Sequence, residues 1–131
     1  MGRDFRKIKA WQVADDLAVE LYRITESFPK HEIYGLTSQL RRAVVSVPAN
    51  IAEGAARGHK KEYVQFLNIA RGSLAETDYY IHLALRLNYL DAETHERLSS
   101  QIRTTASLVF GLYEAVKKEV GPRSKVARSG T

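Results

Sequence analysis

Few residues of this chain have the types and spacing that chemistry requires. His31-Glu32-Ile33-Tyr34-Gly35 opens like the zinc-binding His-Glu-x-x-His pattern, but glycine stands where the second metal ligand is needed. Di-iron carboxylate bundles need Glu-x-x-His pairs on facing helices, whereas Phe28, Ala56, Tyr79 and Ala92 precede His31, His59, His82 and His95 by three positions. The chain has no cysteine, which excludes thiolate nucleophiles and disulfides. Gly54 and Gly58 lack the Gly-Lys-Ser/Thr ending of a phosphate loop, and no strand precedes them. Asp78 with His82 and Asp91 with His95 are four apart, the spacing of ordinary surface pairs on a helix. The one enzymatic reading left is Glu53 and Glu76 as facing carboxylates. No catalytic residue, metal or cofactor is therefore expected.

Binding chemistry is better represented. Between residues 41 and 61, Arg41, Arg42, Arg57, Lys60 and Lys61 stand against Glu53 alone, net +4, whereas residues 76 to 96 hold five acids against Arg86. Guanidinium and ammonium groups gathered in this way suit the phosphates of an RNA or DNA backbone. Gln39, Arg42, Ser46, Asn50, Glu53 and Arg57 also recur at helical spacing, forming a polar seam beside an apolar stripe. That seam reads either as structural, with Glu53 pairing Arg57 and with Ser46 and Asn50 serving helix carbonyls, or as a recognition surface. The overall charge of +5 divides unevenly: residues 1–10 carry +3, residues 121–131 carry +3, and the body between them is nearly neutral at −1. Basic ends of this kind suit an anionic partner and equally serve as solubilising tails.

Positioning these groups falls to helices. Apolar residues recur every three or four positions through most of the chain, and no strand-like alternation occurs. The first stripe, from Trp11 to Phe28, predicts a helix over about 8–28 that Pro29 ends. A second stripe, from Ile33 to Ile51, predicts helix two over 36–57. Its phase continues past Pro48, which favours a kink over a break in which Asn50 would cap a new helix. Helix three follows the Gly58-His59-Lys60-Lys61 turn and reaches about Leu90. Besides its core stripe it carries Phe66, Ile69, Tyr80, Leu83 and Leu87, a second apolar face that predicts self-association. The run Ala70-Arg71-Gly72-Ser73-Leu74-Ala75-Glu76 places small residues where a neighbouring helix could come close. Asp91 is the expected cap of helix four, which Gly121-Pro122 closes. The fold class predicted is all-α, an antiparallel up-down-up-down four-helix bundle over residues 1–120, followed by a disordered basic tail over 121–131. With 131 residues there is room for one core. The longest uncharged runs are half the length of a membrane span, and with no signal-like start the expected location is the cytoplasm.

Several of these motifs occur together, in order. Trp11, Phe28-Pro29 with Glu32, the run from Gly35 to Ala43, Ser46-Val47-Pro48-Ala49-Asn50-Ile51-Ala52-Glu53-Gly54, and Gly72-Ser73-Leu74-Ala75-Glu76 resemble the bacterial 23S ribosomal RNA intervening-sequence proteins. The resemblance covers about residues 5–118. It implies an up-down bundle assembled as a homopentameric ring, without known enzymatic activity. It also implies kinship to the accessory variability determinant of diversity-generating retroelements, which binds a reverse transcriptase and nucleic acid through a basic surface. The expectation is a non-enzymatic homo-oligomer that binds structured RNA or an RNA-protein complex through Arg41, Arg42, Arg57, Lys60 and Lys61. The competing expectation is a protein-interaction scaffold with no nucleic-acid role.

Overall fold

The three-four spacing becomes four helices: α1 (Lys9–Thr25), α2 (Leu36–Ala56), α3 (Lys60–Arg86) and α4 (Ala92–Ser129), with single 3-10 turns at Phe5–Lys7 and Lys30–Glu32. This computed structural model describes the backbone of residues 3–129 and side chains as far as residue 120, and no strand occurs among the described residues. α4 does not stop at Gly121-Pro122 as expected but continues to Ser129, while the side chains of the tail expected over 121–131 lie outside those described.

Helix ends follow local chemistry that periodicity does not report. α1 stops three residues before Phe28, because the Thr25 hydroxyl turns back to the Leu21 carbonyl at 2.7 Å and the last turn tightens through Glu26 N–H to Arg23 and Ser27 N–H to Ile24. Phe28 still joins the core, its ring 5.4 Å from Tyr89. α2 passes through Pro48 as one element, so no new helix starts at Asn50. Asn50 instead donates its side-chain amide to the Ser46 carbonyl at 2.7 Å and the Ser46 hydroxyl at 2.8 Å. α3 ends at Arg86 and not near Leu90. Asn88 adopts φ 64°, its N–H bonds the Leu85 carbonyl, and Tyr89 N–H bonds the Ala84 carbonyl at 2.8 Å. This pair of bonds around a left-handed residue is the Schellman arrangement that terminates helices. Asp91 caps α4 as expected, accepting the Thr94 N–H at 2.7 Å.

Each helix touches the next in sequence, and α4 returns to α1, with no contact across either diagonal among the described residues. The end of α1 meets the start of α2 through Arg41 and Thr25, the end of α2 meets the start of α3 at Gly54 and Tyr63, and Lys60 at the start of α3 reaches Glu119 in the last third of α4. Such end-to-start contacts belong to neighbouring helices that run in alternate directions. Leu17, Leu21, Leu40, Val44, Val47, Ile51, Leu67, Ile81, Leu98, Val109 and Val116 fill the centre, all of them essentially inaccessible. Thr77 sits among them because its hydroxyl is satisfied by the Ser73 carbonyl at 2.8 Å.

Two packing expectations are corrected. Gly72 is exposed and a Cβ there would meet nothing within 4 Å, so it marks no close helix approach. The close approach is at Gly54, where a Cβ would lie 2.8 Å from Tyr63 Cδ1 and 2.9 Å from Phe66 Cβ. The second apolar face of α3 is also divided. Tyr80 and Leu83 pack against the core and Phe66 lies half-buried beneath the Arg57 guanidinium, leaving Ile69 and Leu87 on the surface.

Candidate nucleic-acid interface

The five bases read as one cluster lie at opposite ends of the molecule. Arg42 and Arg57 are both on or beside α2, and fifteen residues of helix separate them by about 22 Å. Arg41 is also largely occupied. Its Nε donates to the Thr25 hydroxyl at 2.8 Å and its Nη2 to the Tyr22 carbonyl at 3.2 Å, while the guanidinium lies over the Tyr22 ring. It therefore ties α2 to the last carbonyls of α1, where a cation also favours the helix dipole.

Arg57, Lys60 and Lys61 stand at the other end, and folding brings them company that is distant in sequence. Arg3 N–H donates to the Ala55 carbonyl at 2.7 Å and its guanidinium lies 3.8 Å from Glu119 and over the ring of Tyr63. The start of the chain, the α2–α3 connection and the far part of α4 thus meet. This end gathers Arg3, Arg6, Lys7 and Lys9 from the first segment, Arg57, Lys60 and Lys61 from the connection, and Lys117 and Lys118 from α4. Against these nine bases stand Asp4, Glu53, Glu62, Glu114 and Glu119, a net of +4.

Some of this charge is committed internally. Arg57 pairs with Glu53 at 3.0 Å and with Glu62 at 3.9 Å, and stacks on Phe66. Lys60 pairs with Glu119 at 2.9 Å and holds that carboxyl below the usual range, with Arg3 adding to the effect. Burial pushes the Tyr63 phenol up, opposed by the Arg3 guanidinium beside it. Lys7, Lys61 and Lys118 are exposed and make no ion pair among the described residues, so their charge faces solvent. Sequence reasoning found residues 1–10 basic but did not join them to the α2–α3 connection or to Lys117 and Lys118. The signal was available in an even number of alternating helices, which returns the last element to the level of the first.

The polar seam is mostly structural in its middle. The Ser73 hydroxyl bonds the Ser46 hydroxyl at 2.9 Å, linking α3 to α2, and Asn50 completes the junction. Gln39 and Arg42 are exposed on the outer side of α2. Glu53 and Glu76 do not form a carboxylate pair: Glu53 holds Arg57, and Glu76 accepts the Tyr80 hydroxyl at 3.3 Å. Among the described residues no group of three or more His, Asp or Glu side chains could hold a metal ion, and no helix is long and apolar enough to cross a membrane.

The described residues form a small four-helix bundle with a basic end. The chain belongs to the family described as 23S rRNA-intervening sequence protein, whose pattern it matches over residues 6–111. A solved structure with the same fold is a protein of unknown function from the S23 ribosomal protein family of Bacteroides thetaiotaomicron. It is 21% identical, superposes with a TM-score of 0.75, and the match covers 80% of this chain and 95% of that one. No curated protein matches the chain.

Proposed function

We propose that this protein is a non-enzymatic, homo-oligomeric bundle that binds structured RNA, alone or within an RNA-protein complex, through its basic end. The observation that carries this reading is the convergence of three separate basic segments on one pole, with Lys7, Lys61 and Lys118 free of ion pairs among the described residues. Membership of a family described by a ribosomal RNA insert agrees with it. Arg41 and Arg42, at the opposite pole, are not part of this surface. Exposed charge of one sign at the tip of a rod attracts phosphates at long range and releases counterions on contact, so affinity falls as salt rises.

Self-association rests on a separate observation. Ile69 and Tyr79 on α3, Leu87 just past its end and Phe110 on α4 expose about half their surface, and Phe110 also lines a groove of about 360 Å³ between α3 and α4 with Leu74, Ala75, Ile102 and Ala106. A ring of five is the stoichiometry that the family resemblance leads us to expect. Light scattering at micromolar concentration should give a multiple of the chain mass, and the mass of one chain would overturn the oligomer. For RNA, equilibrium binding to a structured transcript across a salt series should be saturable near physiological salt. Absence of saturation there would remove RNA binding and favour the scaffold reading, in which the exposed apolar groove receives a protein.

A further inference from the structure

The pole away from the basic end carries a second polar feature that RNA binding there does not use. A pocket of about 330 Å³ opens at the start of α2, lined by Tyr22, Ile33, Thr37, Ser38, Arg41 and Arg42. Its floor is fixed, because Arg41 is held by the Thr25 hydroxyl, the Tyr22 carbonyl and the Tyr22 ring. Arg42 is exposed at the rim and makes no ion pair among the described residues. Helix geometry supplies more donors. The Leu36 N–H is taken by the Glu32 carboxylate at 3.0 Å, and the Gln39 N–H by the Gly35 carbonyl. The Thr37 and Ser38 amides between them have no acceptor among the described residues.

Thr37 points independently to a ligand. It is 5% exposed, lines the pocket, and its hydroxyl has no hydrogen-bond partner among the described residues. Thr25, Thr77 and Thr105, the other buried threonines, each turn the hydroxyl back to a carbonyl four residues earlier. The Thr37 oxygen is not one of the fully enclosed unsatisfied atoms among the described residues, which are Tyr63 Oη and Gln101 Oε1, so it opens to solvent at the pocket. A hydroxyl without a protein partner beside two first-turn amides and two guanidinium groups suits an acceptor from solution. The charge that suits it is negative, since a helix start and two arginines favour an anion. Glu32 opposes this, but its two oxygens are engaged by the Leu36 amide and the Tyr89 hydroxyl.

We propose that this pocket binds a phosphate group, held by the Thr37 and Ser38 amides, the Thr37 hydroxyl and the Arg41 and Arg42 guanidinium groups. The phosphate comes either as a small phosphorylated molecule or as a terminal or bridging phosphate of RNA. The site is separate from the basic end, and its failure leaves the reading of that end untouched. Inorganic phosphate, adenosine monophosphate and a short single-stranded RNA are titrated into the labelled full chain at constant ionic strength, with amide resonances as the readout. The Thr37 and Ser38 amides should shift saturably with inorganic phosphate. Arg42→Ala, at an exposed position that does not threaten the fold, should weaken binding about tenfold, the loss expected for one charge-assisted hydrogen bond. Thr37→Ser should retain the shift and Thr37→Val should lose most of it. If the RNA saturates the same amides at lower concentration than the monophosphate, the phosphate belongs to RNA; the reverse order assigns a small molecule, and both support the pocket. No saturable shift with any of the three, or a titration unchanged by Arg42→Ala, overturns it.

Discussion

At the residue scale, two glycines on neighbouring helices make opposite demands. Gly54 fits against Tyr63 and Phe66 with no room for a methyl group, so Gly54→Ala forces a shift in packing. We expect a loss of about 1–3 kcal/mol in urea unfolding. Gly72 is helical and faces open space, so Gly72→Ala should gain about 0.5–1 kcal/mol by removing backbone freedom from the unfolded chain. The sequence alone points to the wrong glycine, because a run of small residues records only that a helix could come close. Which glycine is used depends on which side of α3 faces α2, and the Ser46–Ser73 bond with the Tyr63 contact settles that at the three-dimensional level. The same limit explains Arg41. Its nearness in sequence groups it with Arg57, Lys60 and Lys61, yet it stands at the opposite pole, where its Nε and Nη2 donate to the Thr25 hydroxyl and the Tyr22 carbonyl at the end of α1.

At the element scale, the four helices and the Asp91 cap are legible from periodicity and cap chemistry, while the stops of α1, α3 and α4 are not. The α3 stop depends on Asn88 at φ 64°, a conformation that asparagine tolerates and β-branched residues do not. Asn88→Val should therefore lower stability by about 1–2 kcal/mol, whereas Asn88→Gly should leave it unchanged or slightly raised, as thermal melts of the two variants would show. The start of α2 has a charged cap from outside the helix. Glu32 accepts the Leu36 amide and the Tyr89 hydroxyl, and these bonds hold its carboxyl below the usual range. A carboxyl lowered on folding contributes stability that is fully present above its unfolded value and disappears as pH falls through the folded one. Melting temperatures of the native chain should thus exceed those of Glu32→Gln at neutral pH, and the gap should close on acidification below the ordinary carboxylate range. A gap that is independent of pH would mean that Glu32 acts through packing alone.

At the scale of the whole molecule, charge is arranged along the bundle axis. The basic segments at the start of the chain, at the α2–α3 connection and late in α4 are far apart in sequence and share a pole because the helices alternate in direction. This arrangement could be drawn from the predicted topology, but grouping bases by nearness in sequence instead joins Arg41 and Arg42 to residues at the opposite end. Ile69 on α3 and Leu87 just past its end remain exposed, while Tyr80 and Leu83 are already used by the core. The most direct measurement is RNA affinity as a function of salt for the native chain and for a variant carrying Lys7→Glu, Lys61→Glu and Lys118→Glu. The account predicts weaker binding and a log-log salt slope shallower by about 0.7–0.9 for each phosphate that the variant no longer neutralises. An unchanged affinity and an unchanged slope would contradict it.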